Sequence, residues 1–160
     1  MTMKIEDAAA ALMRDHAQKK NIVPFARDYG AQDIAGAYAI QAAYNKLQEQ
    51  KLGRRAGYKI GLTSRRMQAM CGVNHPNSGV VFEKLIHRSG VQLPVSGLVR
   101  IGIEFECCAR LGRTLGPRNG EYTLDDIREA VDAVAPAFEV IDDRNSAYPL
   151  DLLSLIADNS

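Results

Sequence analysis

The sequence has few cysteines, almost no net charge and no long hydrophobic run. Its three cysteines, Cys71, Cys107 and Cys108, match no metal-binding spacing. Cys107 and Cys108 would point to opposite faces of a strand, which makes them poor disulfide partners for each other and favours a reducing compartment. A formal net charge of +1 gives no general attraction to nucleic acid or to an acidic membrane. Charges interrupt residues 1–20 every few positions, and no signal peptide or membrane span is visible, so we predict a cytoplasmic protein.

The remaining composition is that of an ordinary globular protein, and the helical and strand patterns along the chain predict an α+β class. Of 160 residues, 46% are hydrophobic and 24% are charged, which excludes disorder and fits one domain. Helical patterns dominate the first half and strand patterns begin near residue 79. We therefore expect an α-rich region over residues 1–78 and a β-rich region over residues 79–160.

Local signals predict most of the elements. Asp33 is a suitable N-cap for a helix that runs to about Lys51, and Thr63 or Ser64 can cap a short helix over Arg65–Met70. Thr123 with Asp126 resembles a capping box. We expect the helix after Thr123 to continue through Val134. The other predicted segments are an opening helix from Ile5 to His16, a strand and helix over Gly57–Met70, a turn over His75–Gly79, a strand over Ala137–Asp142 and a helix over Leu150–Ala157.

The chain centres on the strand Ile101–Arg110, whose side chains alternate with a period of two. Glu104 and Glu106 lie on one face, with Cα atoms about 6.5–7 Å apart at the usual strand rise. Two carboxylates at that distance repel unless a cation, a basic group or water lies between them. A metal site and a solvated strand face are both compatible with the pair.

Glu139 is a carboxylate on a largely apolar strand face, shared with Ala137 and Ile141. An ionised carboxylate in such surroundings needs a partner. If its strand approaches Glu104 and Glu106, three oxygen ligands could hold one hard divalent cation such as magnesium, manganese or calcium. Lys59, flanked by glycines two positions away on each side, is a candidate acid or base, although an exposed strand lysine is the commoner explanation of such a residue.

Four ordered motifs resemble the 2-keto-4-pentenoate hydratase and 4-oxalocrotonate decarboxylase group of the fumarylacetoacetate hydrolase superfamily. The resemblance spans essentially the whole chain and includes the helical opening around Ala37–Gln41. The four motifs are Gly57–Ser64 (GYKIGLTS), Ile103–Glu106 (IEFE), Pro136–Asp142 (PAFEVID) and Ala157–Ser160 (ADNS).

The resemblance implies a helical N-terminal region followed by part of a mixed β-roll, in an Mg²⁺- or Mn²⁺-dependent enzyme. Its substrates would be short unsaturated 2-oxo or 2-hydroxy acids from aromatic-compound degradation, of the 2-hydroxypenta-2,4-dienoate type. The implied metal ligands are Glu104, Glu106 and Glu139. Lys59 matches the active-site lysine of the family, and Ser160 matches a substrate-contacting serine.

Two departures from the family pattern affect the expected function. Asn77 stands where many hydratases of the group carry an acid; it can bind substrate or orient water but cannot act as a general base. Family members also continue for about another hundred residues past the last motif. We therefore expect a truncated fold with exposed apolar surface. Such a fold would need to form a homo-oligomer or to bind a related full-length enzyme.

Three interpretations follow from the sequence. The first is a hydratase, inactive if the missing part is essential; the second is a 4-oxalocrotonate-type decarboxylase, which Asn77 favours. The third is a non-catalytic module that associates with a full-length relative.

Overall fold

The structure is a computed structural model that describes residues 3–146 and 151–160; Leu150, the first residue of the last predicted helix, lies outside them. The described residues fall into two compact units. The first contains those up to Arg100 and those from Asp143 onward, and the second is Ile101–Asp142. The division at residues 78 and 79 stays a prediction.

Five helices and four strands are described, in agreement with the predicted α+β class. In chain order they are α1 (Ile5–Ala17), α2 (Ile34–Leu52), β1 (Arg55–Gly61), α3 (Arg65–Met70), β2 (Asn77–Phe82), β3 (Ile101–Leu111), α4 (Leu124–Ala130), β4 (Val131–Asp142) and α5 (Leu152–Ala157). Short 3-10 helices cover Ala26–Tyr29, Glu83–Leu85 and Val95–Gly97. In the described part of the chain, no helix is both long enough and apolar enough to cross a bilayer.

Helix starts follow local side-chain chemistry. Asp33 accepts a hydrogen bond from the backbone N–H of Gly36, and Ser64 accepts one from Met67, as expected for N-caps. Thr123 and Asp126 form a complete capping box at α4. These three predicted starts are confirmed.

The core of the first unit lies between α1, α2 and α5 and consists largely of alanine. Small side chains let helix axes approach closely, because the interaxial distance depends on the residues at the contact. The buried cluster contains Ala8, Ala9, Leu12, Ala26, Ala31, Ala37, Ile40, Tyr44, Leu153, Ile156 and Ala157.

The first unit also contains an antiparallel pair formed by β1 and β2. Lys59 pairs with Gly79, and Gly61 pairs with Asn77. The predicted turn over His75–Gly79 is therefore wrong in its second half, because Asn77 already belongs to β2. Asparagine and glycine are typical of turns, but here pairing with β1 decides the conformation.

The second unit is built around the antiparallel pair β3–β4. The predicted helix through Val134 is wrong: α4 ends at Ala130, and Val131 begins β4. Valine is β-branched and favours strands, and Val131 pairs with Leu111 while Val134 pairs with Ala109. A two-stranded pair is marginally stable by itself. Its apolar face carries large exposed side chains, namely Ile101, Ile103, Phe105, Val134, Phe138 and Val140.

Candidate active site

The predicted site residues fall into two clusters, one in each unit. Glu104, Glu106 and Glu139 form the acidic cluster of the second unit. Lys59, Asn77 and Ser160 form the lysine cluster of the first unit.

The register of β3 and β4 assembles the acidic cluster. Glu104 lies directly opposite Glu139, and directly opposed side chains of an antiparallel pair share one face. Glu106 points to that face two residues further along β3. One carboxylate oxygen from each residue lies within 4.8 Å of the other two. Glu104 and Glu106 are exposed, whereas Glu139 is half-buried.

The donor set of this cluster fits a hard divalent cation. Magnesium takes oxygen ligands at about 2.0–2.1 Å in octahedral geometry, which places trans oxygens about 4.2 Å apart and cis oxygens about 3 Å apart. Side-chain rotation would close the observed spacing to those values. Three carboxylates also leave coordination positions for water or substrate.

In the lysine cluster, Ser160 contacts both of the other predicted residues. The ammonium of Lys59 donates a hydrogen bond to the backbone carbonyl of Ser160. Asn77 Nδ2 donates to Ser160 Oγ over 3.2 Å, and Ser160 Oγ donates to the carbonyl of Ser78 over 3.0 Å. The cluster therefore combines a lysine amine with two neutral polar groups.

The direction of these hydrogen bonds determines the orientation of the Asn77 amide. The Ser78 carbonyl can only accept, so the Ser160 hydroxyl proton points toward it and Ser160 Oγ accepts from Asn77 Nδ2. Asn77 is 4% exposed, and its Oδ1 is a buried acceptor with no hydrogen-bond partner in the described residues. Buried polar groups of this kind call for an explanation such as a bound water or ligand.

Glycines make room for the lysine cluster. A Cβ at Gly61 would lie 2.5 Å from Asn77 Oδ1. A Cβ at Gly79 would lie 2.3 Å from the carbonyl oxygen of Asn159 and 2.8 Å from Lys59 Cε. Real Cβ atoms essentially never approach so closely. Gly61 and Gly79 are therefore steric requirements of this arrangement.

Helix α2 contributes polar contacts that the sequence analysis missed. Gln41 Nε2 donates to the carbonyls of Ser78 and Ile156 over 2.9 and 2.8 Å, and Asn45 Nδ2 donates to Asn159 Oδ1 over 3.1 Å. Both side chains are buried. Two amides four residues apart, beside the apolar stripe of an amphipathic helix, are the signal that could have identified them.

A half-buried polar cluster anchors the segment that ends in Ser160. Asp158 binds His16 Nε2 at 2.6 Å and Arg144 Nη1 at 2.9 Å, and Arg144 is only 3% exposed. Tyr44 stacks on the His16 ring, with ring centroids 5.6 Å apart. Burial raises the pKa of Tyr44 well above its ordinary value, and the charge of Asp158 raises it further. Tyr44 is consequently neutral at physiological pH.

The fold of this chain is similar to that of a solved decarboxylase, and its sequence is similar to those of curated hydratases. No family model matches the sequence. The chain has the same fold as 4-oxalocrotonate decarboxylase from Pseudomonas putida G7 in complex with magnesium and adipate, with a TM-score of 0.85 and 27% identity over 98% of this chain and 59% of that one. A second structure of that enzyme, with calcium and acetate, gives a TM-score of 0.83 and 27% identity over 98% of this chain and 58% of that one.

The sequence relatives include hydratases. The 2-keto-4-pentenoate hydratase of Paraburkholderia xenovorans is 33% identical over 97% of this chain and 57% of its own length. The 2-oxo-hept-4-ene-1,7-dioate hydratase of Escherichia coli is 31% identical over 89% of this chain and 55% of its own length. The predicted resemblance to the hydratase and decarboxylase group is thus confirmed. The chain spans less than two thirds of the length of the curated relatives it matches.

Proposed function

We propose that this chain carries the metal-binding and lysine clusters of a hydratase for short unsaturated 2-oxo and 2-hydroxy acids, of the 2-hydroxypenta-2,4-dienoate type. The meeting of Glu104, Glu106 and Glu139 within 4.8 Å supports the proposal most directly. The names of the sequence relatives support the substrate class, and a place in aromatic-compound degradation is part of the proposal.

In this proposal Glu104, Glu106 and Glu139 hold Mg²⁺ or Mn²⁺. The bound cation would supply Lewis acidity toward the oxygens of the 2-oxo acid substrate. Lys59 holds a proton at Nζ for transfer to the carbon skeleton, and its hydrogen bond to the Ser160 carbonyl orients the ammonium. Asn77 and Ser160 bind substrate or orient water through neutral hydrogen bonds. Asn77 takes no proton, because an amide is not a base at physiological pH.

Metal titration by isothermal calorimetry tests the ligand assignment without requiring turnover. We expect Glu106→Gln to weaken Mg²⁺ or Mn²⁺ binding at least about tenfold, since loss of outer-shell partners alone costs 10–100-fold. Glu129→Gln is the matched control, because Glu129 is an exposed glutamate of the same unit, outside the acidic cluster. Unchanged affinity in Glu106→Gln would refute the assignment.

A decarboxylase of the 4-oxalocrotonate type is the second candidate. The asparagine at position 77 and the fold shared with 4-oxalocrotonate decarboxylase favour it. Incubation with Mg²⁺ and either 2-hydroxypenta-2,4-dienoate or 4-oxalocrotonate separates the two by product. Hydration of the first substrate supports the hydratase, and release of carbon dioxide from the second supports the decarboxylase.

We also propose that the chain works as a homo-oligomer or in complex with a related full-length enzyme, in the cytoplasm. The exposed apolar face of β3 and β4, with Phe105 84% exposed and Phe138 68% exposed, supports the association. A non-catalytic association module is the extreme form of this idea. Co-purification with an intact relative, with no turnover by the chain alone, would favour the non-catalytic module. Catalytic turnover by the isolated monomer would refute both forms of the proposal.

A further inference from the structure

The side-chain amide of Asn159 pairs with the backbone of β2 in the way that a residue of a neighbouring strand would. Its Oδ1 accepts a hydrogen bond from the backbone N–H of Val80 over 2.8 Å, and its Nδ2 donates to the carbonyl of Val80 over 2.9 Å. Both backbone groups of Val80 are thereby satisfied by one amide. Such pairing fixes the position of the amide relative to β2 in distance and in orientation.

Two further hydrogen bonds, a left-handed backbone and the space at Gly79 hold Asn159 in this position. Asn45 Nδ2 donates to the same Oδ1 over 3.1 Å from helix α2. The backbone N–H of Asn159 bonds to the carbonyl of Ile156 over 3.1 Å. Its backbone is left-handed, with φ at 74°, a conformation that asparagine tolerates better than most other residues. Gly79 leaves the space that the Asn159 carbonyl oxygen occupies.

These contacts determine where the next residue lies. Ser160 follows Asn159 with φ at 63°, and its backbone N–H bonds to the carbonyl of Leu155 over 2.9 Å. Its carbonyl accepts from Lys59, and its hydroxyl lies between Asn77 and Ser78. A shift of Asn159 would therefore move both groups of Ser160 that contact the lysine cluster.

We propose that Asn159 is a positioning residue that holds Ser160 against Lys59 and Asn77. This role rests on the proposed function of the lysine cluster, but Asn159 touches neither Lys59 Nζ nor the Asn77 amide in the hydrogen bonds described above. It acts through Ser160. No property of the bound cation is needed for the inference.

The reactivity of the Lys59 amine tests the proposal independently of turnover. The full chain is treated with trinitrobenzenesulfonate at limiting concentration, and modification of Lys59 relative to Lys84 is measured by peptide mass spectrometry. Lys84 is an internal reference, because its Nζ also donates to a backbone carbonyl, that of Lys51, over 2.8 Å. Asn159→Ala removes both side-chain bonds to Val80, and Asn159→Asp keeps the shape but removes the donor.

We expect the ratio of Lys59 to Lys84 modification to rise roughly 2- to 12-fold in Asn159→Ala, the range that corresponds to loss of one hydrogen bond. Asn159→Asp should give a smaller rise in the same direction. Asn145→Ala is the matched control, since Asn145 is also left-handed, with φ at 55°, and exposed; its ratio should equal that of the wild type.

The outcomes separate a positioning role from a purely structural one. A lower melting temperature in Asn159→Asp with an unchanged modification ratio would overturn the proposal, as would an equal rise in Asn145→Ala. If Asn159→Ala does not fold, Asn159→Asp decides by the same ratio. Failure of the proposed hydratase activity would leave this ratio unaffected, so the two ideas fail separately.

Discussion

The close approach at Gly79 makes a quantitative prediction for Gly79→Ala. The new Cβ would lie 2.3 Å from the carbonyl oxygen of Asn159, a backbone atom that cannot rotate away. Ordinary contacts between heavy atoms are about 3.5–4.0 Å, so Asn159 must retreat by about 1 Å. That retreat breaks or stretches both hydrogen bonds to Val80.

The expected destabilisation follows from these contacts. Two hydrogen bonds at about 0.5–1.5 kcal/mol each amount to about 1–3 kcal/mol, which also matches the usual cost of overpacking. Replacing glycine by alanine returns about 0.4–1 kcal/mol through the unfolded state. We therefore expect a net loss of about 0–2.6 kcal/mol, centred near 1.3 kcal/mol, and at that centre a fall in melting temperature of roughly 3–5 °C for a chain of this size.

Gly57→Ala is the control for this prediction. Gly57 lies on the same strand pair, has no atom of the described residues within 4 Å of its would-be Cβ, and, like Gly79, does not have a left-handed backbone. It should be neutral or stabilising by about 0.4–1 kcal/mol. Thermal unfolding followed by circular dichroism compares the two variants. Equal melting temperatures would refute the steric argument.

Two pH dependences follow from the shifted groups. The raised pKa of Tyr44 stabilises the fold below about pH 10, where an unfolded tyrosine is still protonated, and this contribution is lost as the pH rises further. In denaturant titrations, Tyr44→Phe should therefore lose less stability above pH 10 than the wild type does. Tyr58→Phe is the control, at a side chain that is 71% exposed, and should behave like the wild type. The same dependence of stability on pH in Tyr44→Phe and in the wild type would contradict this assignment. Hydrogen bonds from Arg118 and Thr123 lower the pKa of Asp126 in the folded chain. The ionised Asp126 therefore stabilises the fold above about pH 3.9, and this stabilisation declines as the pH falls toward the lowered folded pKa. Asp126→Asn should lose this acid dependence of stability, which circular dichroism measures between pH 5 and 2. An acid transition like that of the wild type would argue against a contribution from the Thr123–Asp126 capping box.

The features that the sequence analysis predicted correctly depend on neighbouring residues. Asp33, Ser64 and Thr123 cap helices through contacts three residues away, so their role is visible in a short window. The shared face of Glu104 and Glu106 likewise follows from strand geometry alone. That Glu104 and Glu106 approach Glu139 could not be predicted without the pairing of β3 with β4. Their role as metal ligands stays a proposal.

The features that were missed depend on distant residues. Asn159 meets Val80 across 79 positions of the chain, and Asn45 meets Asn159 across 114. No local pattern distinguishes such an amide from an exposed one. The boundary between α4 and β4 was misplaced for a related reason, because pairing with β3 overrides a helical spacing that Val131 and Val134 satisfy equally well.

The direct opposition of Glu104 and Glu139 has a consequence for folding. Side chains alternate along a strand, so a slip of one residue between β3 and β4 would carry Glu139 to the face of Phe105 and separate it from Glu104 and Glu106. A cation that binds all three therefore selects one alignment of the strands among the alternatives open to a long two-stranded pair. Cation concentration would then govern how uniformly the chains acquire that alignment as they fold, as well as how many sites are filled.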